Sequence, residues 1–548
     1  MGKYFTLIVL LFCSSISFSQ WQLNGVVVCD TSANQGLWIL PKAAPDGYGG
    51  AFICWRDARN GKDYDVYVQH IDRNGFIKWQ SNGIPIVQAP ANQDFPRICS
   101  DGTGGAFIAW EDDRSIMNTH IYAQRIDKEG RLLWQFNGVQ ASKRSGLFIS
   151  IVNDQRNGAI IGWNALGGID NDVFVQRLDP FGKPVWSDSG VQLTNRPGII
   201  SANDIAVLAD GTGGSIITWV EDDKVYAQRV DGEGIVRWIQ NGILLSDSTQ
   251  RASSVAISKD EKGGAIISWH YRDASVAVQR ISISGNILWN PSITLLPPQG
   301  AGGGQRNTAD SKGGAFIGKG LRIHHLDSLG NQLWQSDGVP FISRFGVTNS
   351  VQAFDGHYGV INFTESFKEG EGWLILSQWI DERGIPRFGA DGIKVTSITT
   401  NGRQFWPSAV SSGQGGAIVC WMDNRKNTSA VYAAMIDTSG LIVTHILEIE
   451  SHSFGLAPKL AQNYPNPFNP YTVIQYEIPI KGHVAIIIYD TLGKEVIKLV
   501  NDEQEAGSYK VIWNGRSTNG ERVSSGSYYY KLIFNDDVQV SKKVLLIH

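Results

Sequence analysis

The chain has 548 residues, 42% hydrophobic and 18% charged, with a formal net charge of −4. That length calls for at least two domains, and a near-neutral balance without any Lys/Arg run excludes the basic stripe of a nucleic-acid binder. The 61 glycines and 18 tryptophans, beside only 4 methionines, suit an all-β protein with many tight turns.

Residues 1–19 read as a signal peptide. Lys3 supplies the positive charge, and Phe5–Cys13 (FTLIVLLFC) is an apolar run too short to span a bilayer. Ser17-Phe18-Ser19 then offers small residues ahead of a cut between Ser19 and Gln20. Cys13 raises a lipoprotein alternative, but Phe12 stands where a lipobox needs a small residue. The Sec translocon and signal peptidase are the expected first partners, and the mature chain is expected to be soluble, without a transmembrane segment. Cys29, Cys54, Cys99 and Cys420 remain after cleavage. They are too few for a disulfide scaffold, lack any CxxC, and read as small buried residues.

The middle of the chain repeats itself. A Gly-Gly-Ala-apolar-apolar-x-Trp anchor recurs at Gly49–Trp55 (GGAFICW), Gly104–Trp110, Gly213–Trp219, Gly263–Trp269 and Gly415–Trp421, with weaker copies at Asn157, Gly313 and Tyr358. Each anchor leads to a second strand, an Asp-x-x-Gly turn and another Trp, most clearly over Tyr122–Trp134. An Asp-Gly-x-Gly-Gly turn precedes several anchors, as at Asp101–Gly105. Glycine supplies the positive φ these turns need. Four strands of five to eight residues per repeat predict propeller blades. The last repeat lacks its closing Trp-x-x-Asn-Gly strand, and the missing piece stands at the mature N-terminus as Trp21-Gln-Leu-Asn-Gly25. The expectation is a closed eight-bladed β-propeller over residues 20–449, or seven blades if the degenerate repeat around Tyr358 is not a full one. The anchor tryptophans then pack between blades rather than stack on sugars.

Several features of this region invite a functional reading. Trp-x-Asp-x-Arg recurs at Trp55–Arg59, Trp110–Arg114 and Trp421–Arg425; because it travels with the fold, a structural Asp–Arg pair is favoured over a ring of ligand-binding carboxylates. The loop from Asp57 to Asp65 is Ca²⁺-like in composition without EF-hand spacing. His324 and His325 are neighbours on a strand and face opposite sides. No His-Glu-x-x-His, Gly-x-Ser-x-Gly or P-loop occurs, and no cofactor or metal site is expected. The Asp-x-x-Gly-x-x-x-Trp step resembles the tryptophan-docking repeat of quinoprotein propellers, with a turn one residue shorter and none of that family's ligands. That resemblance implies packing and not redox chemistry. The preferred function is a binding module for an extracellular glycan or protein. The alternative is a secreted carbohydrate-active hydrolase with catalytic carboxylates on propeller loops. Such an enzyme would need large loop insertions, and the longest irregular stretches, Pro291–Ser311 and Glu365–Trp373, are modest.

After a linker at 450–459 the pattern changes. Tyr464-Pro465-Asn466-Pro467-Phe468-Asn469-Pro470 imposes an extended lead-in, and six or seven short strands follow, an Ig-like sandwich over 460–548. Gly493, Gly507 with Tyr509, Gly526 with Tyr528, and Lys542-Lys543 before Val-Leu-Leu-Ile547 follow the lead-in in order. Together they resemble the type A C-terminal sorting domain of the type IX secretion system, an Ig-like module also found in flagellar hook-capping proteins. The resemblance implies export by that machinery and its sortase-like peptidase, with the cargo secreted or held on the outer-membrane surface of a diderm bacterium. Neither the Pro-rich lead-in nor the basic-apolar terminus answers an evident packing need in the sequence.

Overall fold

The computed structural model describes residues 21–442 and 458–547, apart from 23, 32–37, 116–117, 166–170, 197–199, 248–249, 274, 291, 296–305, 320, 343–346, 356–358, 369–371, 397–402, 414, 427, 479–480, 492, 506 and 536–537. The proposed cleavage point, Ser19 and Gln20, lies outside the described residues, as does Tyr358. The chain divides into two compact units, Met1–Ile446 and Leu447–His548. Among the described residues all regular structure is strand, and no helix is long and apolar enough to cross a membrane.

In the first unit every sequence repeat folds into consecutive antiparallel strands with the anchor second. Ala106–Asp112, for example, pairs with Gln93–Ser100 on one side and His120–Ile126 on the other. The anchor strands Ala51–Asp57, Ala106–Asp112, Ala159–Ala165 and Ser215–Glu221 are buried at every position, as two-sided apolar strands must be. The fourth strand is shorter than the sequence suggests: Val191–Gln192, Ile243–Leu244 and Ile393–Lys394 have only two residues each. One further backbone bond follows each, from Leu193 to the Val173 carbonyl, Leu245 to that of Val225 and Val395 to that of Ile375. Between the second and third repeats it does not break at all. Val139–Asn153 serves as last strand of one and first strand of the next, merging them into a seven-stranded sheet. In the stretch from Glu365 to Trp373, the described residues Glu365–Lys368 and Gly372–Trp373 are strand. Val360–Lys368 and Gly372–Ile380 stay in register out to Lys368 opposite Gly372, helped by the cross-strand pair Phe367–Trp373 with ring centroids 5.4 Å apart.

The core lies between the sheets rather than at one centre. Each hydrophobic cluster of this unit joins residues of two successive repeats; one joins Trp110 to Phe52 and another Trp163 to Phe107. A further cluster joins the last repeat to the first, through Ile418, Cys420 and Val431 against Ile53, Trp55 and Ile71. First strands follow the same order: each lies beside the next, and Gln404–Ser411 lies beside Lys42–Pro45. The second Trp of a repeat crosses to its neighbour. Trp79 Nε1 donates to the Lys128 carbonyl at 3.2 Å and Trp134 Nε1 to that of Pro180 at 2.9 Å. Trp21 does the same for the last repeat, donating to the Arg73 carbonyl of the first at 2.9 Å. Val26–Cys29 pairs with the last repeat's third strand, Ala430–Asp437. Gly25 (φ 83°) lies where a Cβ would come 2.5 Å from the Trp421 indole, as Gly138 does under Trp110. At both places only glycine fits.

The four cysteines are free, and burial, the largest cause, pushes the Cys29, Cys54 and Cys420 thiols up to about 12. They pack as small apolar groups. Buried Glu111 has a different cost. Burial, opposed by the Phe148 N–H at 2.7 Å and the Arg97 charge, pushes its carboxyl from 4.5 up to about 7. A carboxyl raised on folding contributes stability fully present below its unfolded value and lost as pH rises through its folded value. Glu111→Gln keeps an acceptor for Phe148 and removes that loss. It should stabilise the protein by about 1–3 kcal/mol at pH 8 and leave it unchanged near pH 4, as read from paired thermal melts. Equal effects at both pH values would contradict the assignment.

The second unit holds two sheets around one core. Lys459–Leu460, Thr472–Ile478 and Gly507–Trp513 form one; Glu495–Gln504, Gly482–Tyr489, Gly526–Phe534 and Val538–Leu546 form the other, in those orders. Thr472–Ile478 alternates buried and more exposed residues, the period-two pattern of a strand with one face on the core. Trp513, Tyr530, Phe468 and Leu546 meet in that core.

Candidate functional site

The Pro-rich lead-in and the terminal strand are stitched together. The Phe468 N–H donates to the Leu545 carbonyl at 3.0 Å, and the Ile547 N–H to the Phe468 carbonyl at 3.1 Å. Asn466 Oδ1 accepts the Leu545 N–H at 2.8 Å, while Gln462 Nε2 donates to the Lys543 carbonyl at 2.8 Å. Phe468 is buried against Trp513, with ring centroids 5.3 Å apart. Buried Asn463 donates to Thr472 Oγ1 at 2.8 Å, and Thr472 donates to the Pro465 carbonyl at 2.8 Å. The peptide bonds before Pro465, Pro467 and Pro470 are cis. The lead-in and terminus therefore do serve packing together, contrary to the sequence expectation. The partners lie some 80 residues apart, at 79 and 81 positions, beyond any local pattern.

Other motif residues have local duties. Gly493 (φ 81°) closes the turn that starts at Asp490. Tyr509 Oη donates to the Glu505 carbonyl at 2.7 Å and Tyr528 Oη to that of Ser524 at 2.8 Å, each a tyrosine tying down the loop before its own strand. Gly507 and Gly526 open those two strands. What remains without a packing role is the outward face: Tyr464 is 81% exposed, and Pro467, Asn469, Pro470 and Lys543 are exposed, with Lys542 half-buried.

In the first unit the Trp-x-Asp-x-Arg motif is structural. Asp112 takes Trp110 Nε1 at 2.7 Å and the Arg114 guanidinium at 2.6 and 2.7 Å, and Arg114 also reaches the Asn137 carbonyl at 2.9 Å. Asp57 and Arg59 repeat this with Asn82, and Asp423 and Arg425 repeat it with Asn24 of the N-terminal segment. In each set the Arg lies over a tyrosine ring, 3.7–4.1 Å from the centroid. His324 and His325 part as expected: His325 Nε2 pairs with Asp310 at 2.9 Å, and His324 Nδ1 meets Gln332 at 3.1 Å. In the Asp57–Asp65 loop, Asn60 Nδ2 donates to Asp63 and Asp65. Burial, then the Asp63 charge, pushes Asp65 up to about 6. Among the described residues no three His, Cys, Asp or Glu side chains are grouped to hold a metal.

A cluster that motif reading missed lies across the junction of the last and first repeats. Trp38 and Trp406 meet with centroids 4.9 Å apart, and Phe405 stacks on Trp406 at 5.4 Å. The Arg403 guanidinium lies 4.2 Å from Phe405 and 3.9 Å from Trp373. On the other side Arg56 donates to the Trp38 carbonyl at 2.5 Å and lies over Tyr64 and Phe95. One sequence signal marks it: Trp38, Trp373 and Trp406 stand at neither of the two positions that the repeat gives to tryptophan.

Comparison with known proteins adds the following. Residues 475–535 match the FlgD Ig-like domain, so the second unit contains an Ig-like module. No curated protein matches the chain. Among solved structures it is similar to the BP39L lectin from Burkholderia pseudomallei (11% identity, 73% of this chain and 96% of that chain, TM-score 0.44). It is also similar to PorZ, a surface component of the type-IX secretion system of Porphyromonas gingivalis (12% identity, 91% and 74%, TM-score 0.29), and to a polysaccharide lyase, the PL25 ulvan lyase (10% identity, 78% and 97%, TM-score 0.41).

Proposed function

We propose that the protein is exported by the type IX secretion system, with residues 460–548 as its sorting domain and residues 20–449 as a closed eight-bladed β-propeller that binds an extracellular ligand. Residues 1–19 serve Sec export, and residues 450–459 link the two parts. The mature protein is secreted or held on the outer surface of a diderm bacterium. The match to an Ig-like module over 475–535 supports the second part. The observation that carries the sorting reading is the exposure of Tyr464 and Lys543 beside a lead-in and a terminal strand that are hydrogen-bonded to each other. A fold that needed only packing would place no demand on those two side chains. The unbroken succession of inter-sheet clusters, including the one that joins Ile418 to Ile53, supports the propeller.

The test is export of the full chain in a bacterium carrying the type IX machinery, measured as the surface and medium fraction against the periplasm. Tyr464→Ala with Lys543→Glu should cut export at least tenfold without moving the melting temperature. Leu546→Ala, which opens the core, should lower both stability and export. Undiminished surface delivery of a chain lacking residues 458–548 would overturn the sorting assignment.

A further inference from the structure

We propose that the aromatic cluster at the junction of the last and first repeats is a binding site for a neutral glycan chain, an assignment that rests on the first unit being a binding module. Position in the repeat is the ground for it. Tryptophans at the two repeat positions are consumed by packing, as Trp55, Trp110 and Trp421 are fully buried. Trp38 is 60% exposed, Phe367 47% and Phe95 40%. A feature that serves the fold recurs with the fold; this one does not. Phe95, Phe148, Ser254 and Trp406 all hold positive φ on first strands, so the backbone device is general. Among the described residues its contacts join into a run only from Phe367 to Phe95, across the seventh, eighth, first and second repeats, with the Arg56 bond to the Trp38 carbonyl as the link between its two aromatic parts.

The backbone device, common to the repeats, sets where the rings at this junction sit. Register slips between Phe405 and Ser408 and between Asp94 and Arg97, and Trp406 and Phe95 both take φ 46°. Bulky residues are disfavoured there, and β-bulges re-aim side chains at sheet ends. At this junction they carry large rings, Phe95 exposed and Trp406 half-buried against the core shared by the last and first repeats.

Chemistry selects the ligand. Aromatic faces stack against the C–H faces of pyranose rings, and flanking polar groups hydrogen-bond the hydroxyls. Both cations in the run are already neutralised: Arg56 is held by both oxygens of Asp94 at 2.5 and 2.6 Å, and Arg403 by Glu365 at 3.0 Å. No net charge is left to prefer a uronate or sulfated sugar. The run crosses four repeats, more than one sugar ring can cover, so a chain of several units fits it better than a monosaccharide.

The test uses the purified full chain, followed by tryptophan fluorescence and calorimetry. Probes are hexasaccharides of neutral β-glucan, mannan and xylan, with a galacturonate hexamer and a random peptide library beside them. The expected result is binding of at least one neutral hexasaccharide, weakened at least tenfold by Trp38→Ala and by Trp406→Ala. Phe181→Ala, a 77% exposed aromatic outside the run, should bind normally. Trp38→Ala is not expected to alter the melting temperature, which keeps loss of binding separate from loss of fold. Neutral-sugar binding that Trp38→Ala leaves intact would overturn the site, and preference for the galacturonate hexamer would overturn the neutral class. Peptide binding lost in Trp38→Ala would overturn the glycan assignment while sparing the binding-module reading. Silence from every probe would overturn both.

Discussion

A chain lacking Trp21–Cys29 should fail to hold a stable fold in its first unit. Trp21, Val28 and Cys29 are buried and Val26 nearly so. Losing the large ring costs about 3–5 kcal/mol, and the three smaller side chains add about 1.5 kcal/mol or more each. The sum, on the order of 8 kcal/mol, rivals the whole stability of an ordinary domain. Removal also strips the acceptor from Arg425, which donates to the Asn24 carbonyl at 3.0 Å, and leaves Val431–Ala433 of the last repeat's third strand without their ladder partners. Circular dichroism should show a lost or much lowered melting transition. A transition within a few degrees of the intact protein would mean that the N-terminal segment is not part of the sheet.

Asp112→Ala should be strongly destabilising. Asp112 is fully buried and Arg114 largely so. Truncating the carboxylate strands a guanidinium and the Trp110 indole N–H together, a loss of about 3–5 kcal/mol. Asp188→Ala offers the contrast: its pair with Lys143 is exposed on both sides, so about 0–1 kcal/mol is expected. Denaturant unfolding of the two variants checks the difference. Similar midpoints for both would show that the recurring pair contributes little to the fold.

Much of the first unit was legible because its physics repeats. Buried anchor strands, glycine turns and inter-sheet tryptophans recur at fixed spacing, and the Trp21–Gly25 fragment announced the strand the last repeat lacked. Strand lengths were not legible, since Val139–Asn153 runs through a boundary that turn residues mark elsewhere. In the second unit the motifs could be read but not their mutual bonding; Asn466 and Leu545 meet only through tertiary structure. Trp38 and Trp406 were missed for the same reason. They stand near opposite ends of the first unit, and only the return of the last repeat to the first brings them together.

That return is the claim on which both the propeller and its proposed ligand site depend. Amide hydrogen exchange of the intact chain tests it without any substitution. The segment Val26–Cys29 should exchange as slowly as its ladder partners Val431–Ala433, because both belong to one buried sheet. Fast exchange of Val26–Cys29 beside a protected Val431–Ala433 would contradict closure by the N-terminal strand.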